Sequence, residues 1–274
     1  MKSAIDEQQV SKATKALLAH MRKHRAEKKD SKKAQLDVEG ERADADVIWV
    51  VIATKKMPEK LRIKPVPIPL SHPLLPEDAE VCLITKDPQR EYKDLMQNNG
   101  VTRVSRVIGV SKLKAKFKPY EAKRQLRSSY KLFLADERVL PLLPPILGKT
   151  FFAKKKHPVP VDLTKKNVKA EIERAINATY LNFNKGACNS IKAGHLNLDL
   201  AQNVQNILDV VRGAAEKIPG KWNNIQAVHI KSSTSIALPV YNALPHDPID
   251  DPEDDQGASP DSATEASGEE ADDE

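Results

Sequence analysis

Apolar residues recur along this chain in two rhythms, one helical and one extended. Val10, Ala13, Leu17 and Met21 fall at helical spacing, with Ser3 or Asp6 placed to cap the start. That spacing predicts an amphipathic helix over residues 3–21. Residues 22–46 are charged and poor in apolar groups, and read as a helix extension or a loop. The run Val47, Ile48, Trp49, Val50, Val51, Ile52 is continuous and β-branched, the pattern of a strand buried on both faces. A proline cluster follows at Pro58, Pro65, Pro67, Pro69, Pro73 and Pro76. Val66, Ile68 and Leu70 alternate between these prolines as an edge strand would.

Residues 78–150 read as a self-contained unit. Residues 79–85 form a short apolar strand, and Asp87-Pro88 suggests a helix cap followed by proline in the first turn. Tyr92, Leu95 and Met96 form the inner face of that helix, and Asn99-Gly100 ends it. Residues 104–110 make the next strand. Ser111 is expected to cap a basic helical stretch containing Leu113 and Phe117, and residues 131–135 make a third strand. Strands and helices alternating at this spacing predict a small parallel α/β sheet.

A second proline boundary falls at Pro158 and Pro160. Beyond it Val168, Ile172, Ile176 and Tyr180 mark a helix, and a strand begins near Cys188 and closes at Leu196 and Leu198. Leu200, Val204, Ile207, Leu208 and Val211 mark another helix, and residues 226–231 the last strand. The two outer segments hold too few strands to form separate domains. The expected organisation is therefore one discontinuous outer domain, 1–74 plus 161–246, with an α/β domain, 75–160, inserted into it.

Charge changes this picture. The 274 residues carry 44 Lys and Arg against 38 Asp and Glu, a formal +6. From Asp247 onward there are 13 acids and no Lys or Arg, so residues 1–246 stand at +19. Residues 247–274, with Ile249 their one large apolar group, read as a disordered acidic tail. A basic body points to a polyanionic partner. The longest apolar run, residues 47–53, is far short of the roughly 20 residues that span a bilayer. The first residues contain no apolar signal segment, so Cys82 and Cys188 are expected to be reduced and buried. These features favour nucleic acid over membrane.

The candidate contacts follow from charge and position. Lys112, Lys114, Lys116 and Lys118, with Lys123, Arg124 and Arg127 behind them, could neutralise several phosphates. Lys154, Lys155 and Lys156 precede the second proline boundary. Lys55 and Lys56 follow Thr54 at the end of the first buried strand. Lys231, Ser232, Ser233, Thr234 and Ser235 end the last one, where hydroxyls and a cation suit phosphate and ribose. Lys185 and Lys192 flank the start of the Cys188 strand. The bland reading of each cluster is a solvated helix face or an ordinary turn.

Signals for catalysis are poor. No Gly-rich phosphate loop and no G-x-G-x-x-G occurs. The seven histidines are scattered, and only His20 and His24 fall at ligand spacing, with no third ligand in a motif. Asp136 and Glu137 are adjacent on a strand and so point to opposite faces. No enzyme activity, metal or cofactor is expected.

Several segments carry a resemblance. Residues 221–232, Ala193-Gly194-His195 and residues 142–149 are similar to the ribosomal protein L-1 family. Residues 83–87, Tyr120-Glu121-Ala122-Lys123 with Leu126, residues 133–136, Lys155-Lys156 before residues 158–161, and residues 237–241 resemble its nucleolar ribosome-biogenesis branch. The resemblance covers residues 5–243. It implies an α/β, two-domain L-1-like fold, with a split α/β outer domain and an inserted Rossmann-like three-layer domain. It also implies RNA binding, mainly by the outer domain. Ribosomal members carry a Thr-Met-Gly turn after the last strand. Here the corresponding positions are Ser233, Thr234 and Ser235, without the glycine, which favours an assembly factor over a structural ribosomal protein.

The expected function is thus a non-catalytic RNA-binding assembly factor. It would act on pre-ribosomal RNA in the nucleolus, within the early small-subunit processome. It would be monomeric within a large ribonucleoprotein, alongside other assembly factors and ribosomal proteins. The alternatives are a large-subunit precursor factor of the same family, or a protein-docking scaffold with incidental RNA contact.

Overall fold

A computed structural model of the chain describes residues 5–30, 46–57, 64–183 and 186–243. The opening helix, α1 (Glu7–Asp30), runs past the expected end at residue 21. Val10, Leu17, Leu18 and Met21 are its buried stripe. They pack on a four-stranded antiparallel sheet ordered β10-β9-β1-β8. Its strands are β1 (Val47–Thr54), β8 (Cys188–His195), β9 (Ile225–Lys231) and β10 (Leu238–Asn242). Both ends of the chain therefore build one sheet.

The helix α8 (Leu200–Lys217) lies on the same side as α1. It buries Ile207, Leu208, Val210, Val211 and Ala214 in the same core. Side chains alternate along a strand, so the core takes Ile48, Val50 and Ile52 from β1, Ile191 and Ala193 from β8, and Val228 and Ile230 from β9. The alternate residues, among them Trp49, Ser190, Lys192, His229 and Lys231, face away from the helices. The continuous apolar run of β1 thus makes a strand with one face in the core, where burial on both faces was expected. A two-stranded ribbon, β2 (Val66–Pro69) with β7 (Ala178–Leu181), adds Ile68 and Leu181 to this core.

The second sheet is parallel and ordered β4-β3-β5-β6. Its strands are β3 (Val81–Thr85), β4 (Val104–Gly109), β5 (Leu132–Asp136) and β6 (Val159–Val161). One face packs on α2 (Gln89–Asn98) and α7 (Val168–Asn177) through Met96, Val168, Ile172 and Ile176. The other packs on α3 (Val110–Lys116), α4 (Tyr120–Ser129), α5 (Leu143–Leu147) and α6 (Lys149–Phe152). Leu113, Leu126, Leu143 and Phe151 supply that second core. This is a three-layer α/β arrangement, within the expected α/β class.

Several local readings change. Residues 158–161, read as a boundary, include the edge strand β6, where Pro160 takes a position that needs no donor on its open side. The helix after it, α7, packs on the parallel sheet, and Tyr180 belongs to β7 rather than to that helix. The basic stretch is two helices, broken at Lys118-Pro119. Asp87 does not cap α2, which begins after Pro88. Its carboxylate instead accepts from the Ser111 backbone N–H at 3.0 Å and the Ser111 hydroxyl at 2.6 Å, which ties β3 to the start of α3. Ser111 itself lies inside α3, whose cap is Gly109. Cys188 is exposed, contrary to expectation, while Cys82 is buried. The expected acidic tail and Lys185 lie outside the described residues.

Candidate nucleic-acid interface

The helix-free face of the antiparallel sheet brings three of the expected lysines together. Trp49 is paired in register with Lys192 on one side and Lys231 on the other. Lys155 reaches the same ring from the turn before β6. Its Nζ lies 4.2 Å from the ring centroid and donates to Ser190 Oγ at 3.1 Å. Lys192 Nζ lies 5.4 Å from the centroid. Trp49 is left only 9% exposed, with the Lys155 and Lys192 ammonium groups against its ring. Burial, and then the charge of Lys231, lowers the Lys155 pKa below the ordinary ammonium value. Like charges gathered this closely repel one another, and a nearby anion would relieve that repulsion.

The turn after β9 extends this face. Ser232 is fully buried, and its hydroxyl accepts the N–H groups of Ser235 at 3.1 Å and Thr234 at 3.4 Å. The Ser235 hydroxyl accepts from the Ser232 N–H at 2.8 Å. These two hydroxyls therefore shape the turn, and Ser233 and Thr234 are the pair that face outward.

Not every expected contact joins this cluster. Lys55 and Lys56 are exposed, at the opposite end of the sheet, since Thr54 pairs with Ile225 and Trp49 with Lys231. Six residues of extended chain separate Trp49 from Lys55, a span of about 20 Å. Asn224 holds their loop, accepting the Lys56 N–H at 2.7 Å and donating to the Lys56 carbonyl at 3.1 Å. Lys156 turns inward and donates to the carbonyls of Arg127 at 2.9 Å and Tyr130 at 3.2 Å, so it closes the end of α4. Lys154 is exposed beside it. Lys112, Lys114 and Lys116 line the outer side of α3, and Lys118 the break after it; all four are exposed. That helix starts at the carboxyl ends of the parallel strands.

A cleft of about 860 Å³ opens below Trp49. Lys155, Lys192, His157 and His195 line it on one side, with Lys131, Leu132 and Val159 at the amino ends of the parallel strands. Burial, and then the charges of Lys192 and Lys155, lowers the His157 pKa. Burial is also the main cause of the lowered His195 pKa, with Asp46 opposing it. The Ala193-Gly194-His195 segment is fixed by Asn203 of α8. The Asn203 side-chain oxygen accepts the His195 N–H at 3.1 Å, and its amide donates to the carbonyls of His195, Leu198 and Asp199. A Cβ on Gly194 would stand 2.2 Å from that oxygen, so glycine is required here.

The sequence model of the ribosomal protein L1p/L10e family matches residues 17–236, most of the chain. The chain belongs to this family. Its L1 relatives include a Schizosaccharomyces pombe protein named for ribosome biogenesis, 43% identical over 246 residues, 85% of this chain and 65% of the relative. Ribosomal L1 domain-containing protein 1 of Mus musculus is 37% identical over 206 residues, 72% of this chain and 45% of the relative. Ribosome biogenesis protein UTP30 of Saccharomyces cerevisiae is 27% identical over 224 residues, 72% of this chain and 81% of the relative. The chain thus spans less than two thirds of the first two of these L1 proteins.

Sequence reasoning did not single out Trp49. The signal was present, because Trp49 alternates with the core residues Ile48 and Val50, which places it on the opposite face. Two further observations belong to the described residues alone. No group of three or more His, Cys, Asp or Glu side chains is arranged to hold a metal ion. No helix is long and apolar enough to cross a membrane.

Proposed function

We propose that this L1-family protein is a non-catalytic RNA-binding factor of ribosome assembly, acting on pre-ribosomal RNA in the nucleolus. The observation that carries the RNA contact is the convergence of Lys155, Lys192 and Lys231 on Trp49 at a sheet face without helices. Three cations gathered on one face suit a phosphate backbone, and the sheet supplies a rigid base. The exposed Ser233 and Thr234 add donors for phosphate or ribose. The relatives named for ribosome biogenesis supply the assembly context, and the early small-subunit processome is the stage we assign. In this reading the two sheets form an outer domain built from both chain ends and an inserted parallel domain. Lys112, Lys114, Lys116, Lys118 and Lys154 give the inserted part a second basic surface, for RNA or for neighbouring assembly proteins. No cofactor enters the proposal.

In-cell RNA crosslinking with sequencing of the bound fragments tests it. Fragments from small-subunit precursor RNA are the expected result. Fragments confined to large-subunit precursors would move the protein to the other pathway, and the absence of any RNA crosslink would overturn the proposal.

A further inference from the structure

The cleft below Trp49 has a composition that an RNA helix does not explain. At about 860 Å³ it falls within the roughly 300–1,000 Å³ typical of small-ligand pockets. That holds a nucleotide but excludes a base-paired helix. Its walls join an aromatic face to cations. Trp49 and Tyr180 line it together with Lys155 and Lys192, and Pro73 to Pro76 supply an apolar side. Two carboxylates also line it, Glu77 and Asp46, and Asp46 is paired with Arg25 at 3.6 Å. A ligand that is both flat and anionic matches such walls better than an apolar one or a simple ion.

The two histidines fit the same ligand. His195 Nδ1 accepts the Asn197 N–H at 3.2 Å, which fixes the other ring nitrogen as the one that carries hydrogen. His157 is held edge-on to Phe152, with ring centroids 5.0 Å apart. Burial keeps both rings toward the neutral form. Neutral imidazoles offer directional donors and acceptors to a base edge without adding charge.

We infer that this cleft receives one unpaired nucleotide of the bound RNA, its base against Trp49 and its phosphate on Lys155 and Lys192. The inference rests on the RNA-binding reading above and adds that the RNA must carry a bulged or looped base at the contact. On binding, the base replaces the Lys155 ammonium over the ring, and the ammonium moves to the phosphate. The ring–cation contact is exchanged for stacking and for a direct ion pair.

The test uses the full chain carrying Trp222→Phe, which leaves Trp49 as the only tryptophan. Two hairpin RNAs are titrated, one fully paired and one identical except for a single bulged fluorescent adenine analogue. The bulged RNA is expected to bind about tenfold more tightly, or ~1.4 kcal/mol, from stacking of the extra base on the ring. It should also quench both Trp49 and the analogue. Trp49→Leu should bring the affinity ratio of the two RNAs close to one. Trp49→Phe, which keeps a ring, should retain part of the preference and serves if the leucine variant fails to fold. Equal affinities with unchanged Trp49 emission would overturn the inference while leaving RNA binding in place. Binding of neither RNA would overturn the reading on which it rests. Quenching by an acidic peptide, with none by the bulged RNA, would assign the cleft to a protein and overturn the inference as well.

Discussion

Lys155 holds its ammonium 4.2 Å above the ring of Trp49, from a backbone position with φ of +54°. Non-glycine residues rarely adopt that conformation, which costs on the order of 1–3 kcal/mol. The turn therefore sustains strain at the point where it brings a cation to the sheet. Lys155→Gly removes the cation and relieves the backbone together. The loss of the ring contact, about 0.5–2 kcal/mol, is offset by that relief. Chemical denaturation should show stability unchanged within about 1 kcal/mol, while RNA titration shows weaker binding. A large loss of stability would mean that Lys155 serves the fold rather than the ligand.

Asn203 makes four hydrogen bonds around the Gly194-His195 segment. It is fully buried, and its removal takes the side-chain partner from the His195 N–H and from the Leu198 carbonyl, while the His195 and Asp199 carbonyls keep backbone donors. Asn203→Ala is expected to cost about 2–3 kcal/mol. Gly194→Ala should also destabilise, because the added methyl meets the Asn203 oxygen. Denaturant melts of the two single variants and the double variant check this. Costs that simply add would show that the two positions act independently, against the contact described.

The two thiols should separate cleanly. Burial pushes the Cys82 thiol up to about 12, with Arg106 opposing, whereas Cys188 is exposed. The thiolate is the reactive form. Alkylation of the native protein near neutral pH should therefore label Cys188 alone, and denaturation should add Cys82. Ionisation of Cys82 also opposes folding. Its folded value lies above its ordinary value of 9.0, so stability falls as pH rises from about 9 toward 12.

Acid should weaken the cleft by the reverse sign. Burial holds His157 and His195 below the ordinary imidazole value. The unfolded chain then takes up these protons first, at about pH 6.5. The stability they contribute is present above that pH and is lost as pH falls through the folded values. Thermal melts at pH 7.5 and 5.5 should show a lower midpoint in acid, and His157→Gln should narrow the difference. An unchanged difference in His157→Gln would show that this imidazole does not contribute.

Much of the fold was legible in the sequence. The stripe of Val10, Leu17 and Met21 gave α1, and the pattern from Leu200 to Val211 gave α8. The Asn99-Gly100 stop is borne out, with Gly100 at φ of +61°. The misses have physical reasons. Residues 238–242 hold Leu238, Val240 and Tyr241, but Pro239 interrupts the run, and they form β10 at the edge of the sheet beside β9, where proline is tolerated. Pro158 and Pro160 look like breakers, but the edge of a parallel sheet tolerates proline. The candidate interface was half legible. Composition pointed to lysines, but one-dimensional position could not show that Lys155 crosses to Trp49. Nor could it show that Lys55 and Lys56 lie at the far end of the strand that carries Trp49.

That separation provides the most direct test. RNA affinity should be measured across a range of salt for the native chain and two double charge reversals. Lys192→Glu with Lys231→Glu should lower affinity at least about tenfold. It should also flatten the dependence of log K on log salt by about 1.8, the slope of two duplex phosphate contacts. Lys55→Glu with Lys56→Glu should cost less than about threefold, with the slope reduced by less than ~1. Equal losses for the two pairs, or the greater loss for Lys55 and Lys56, would contradict an interface centred on Trp49.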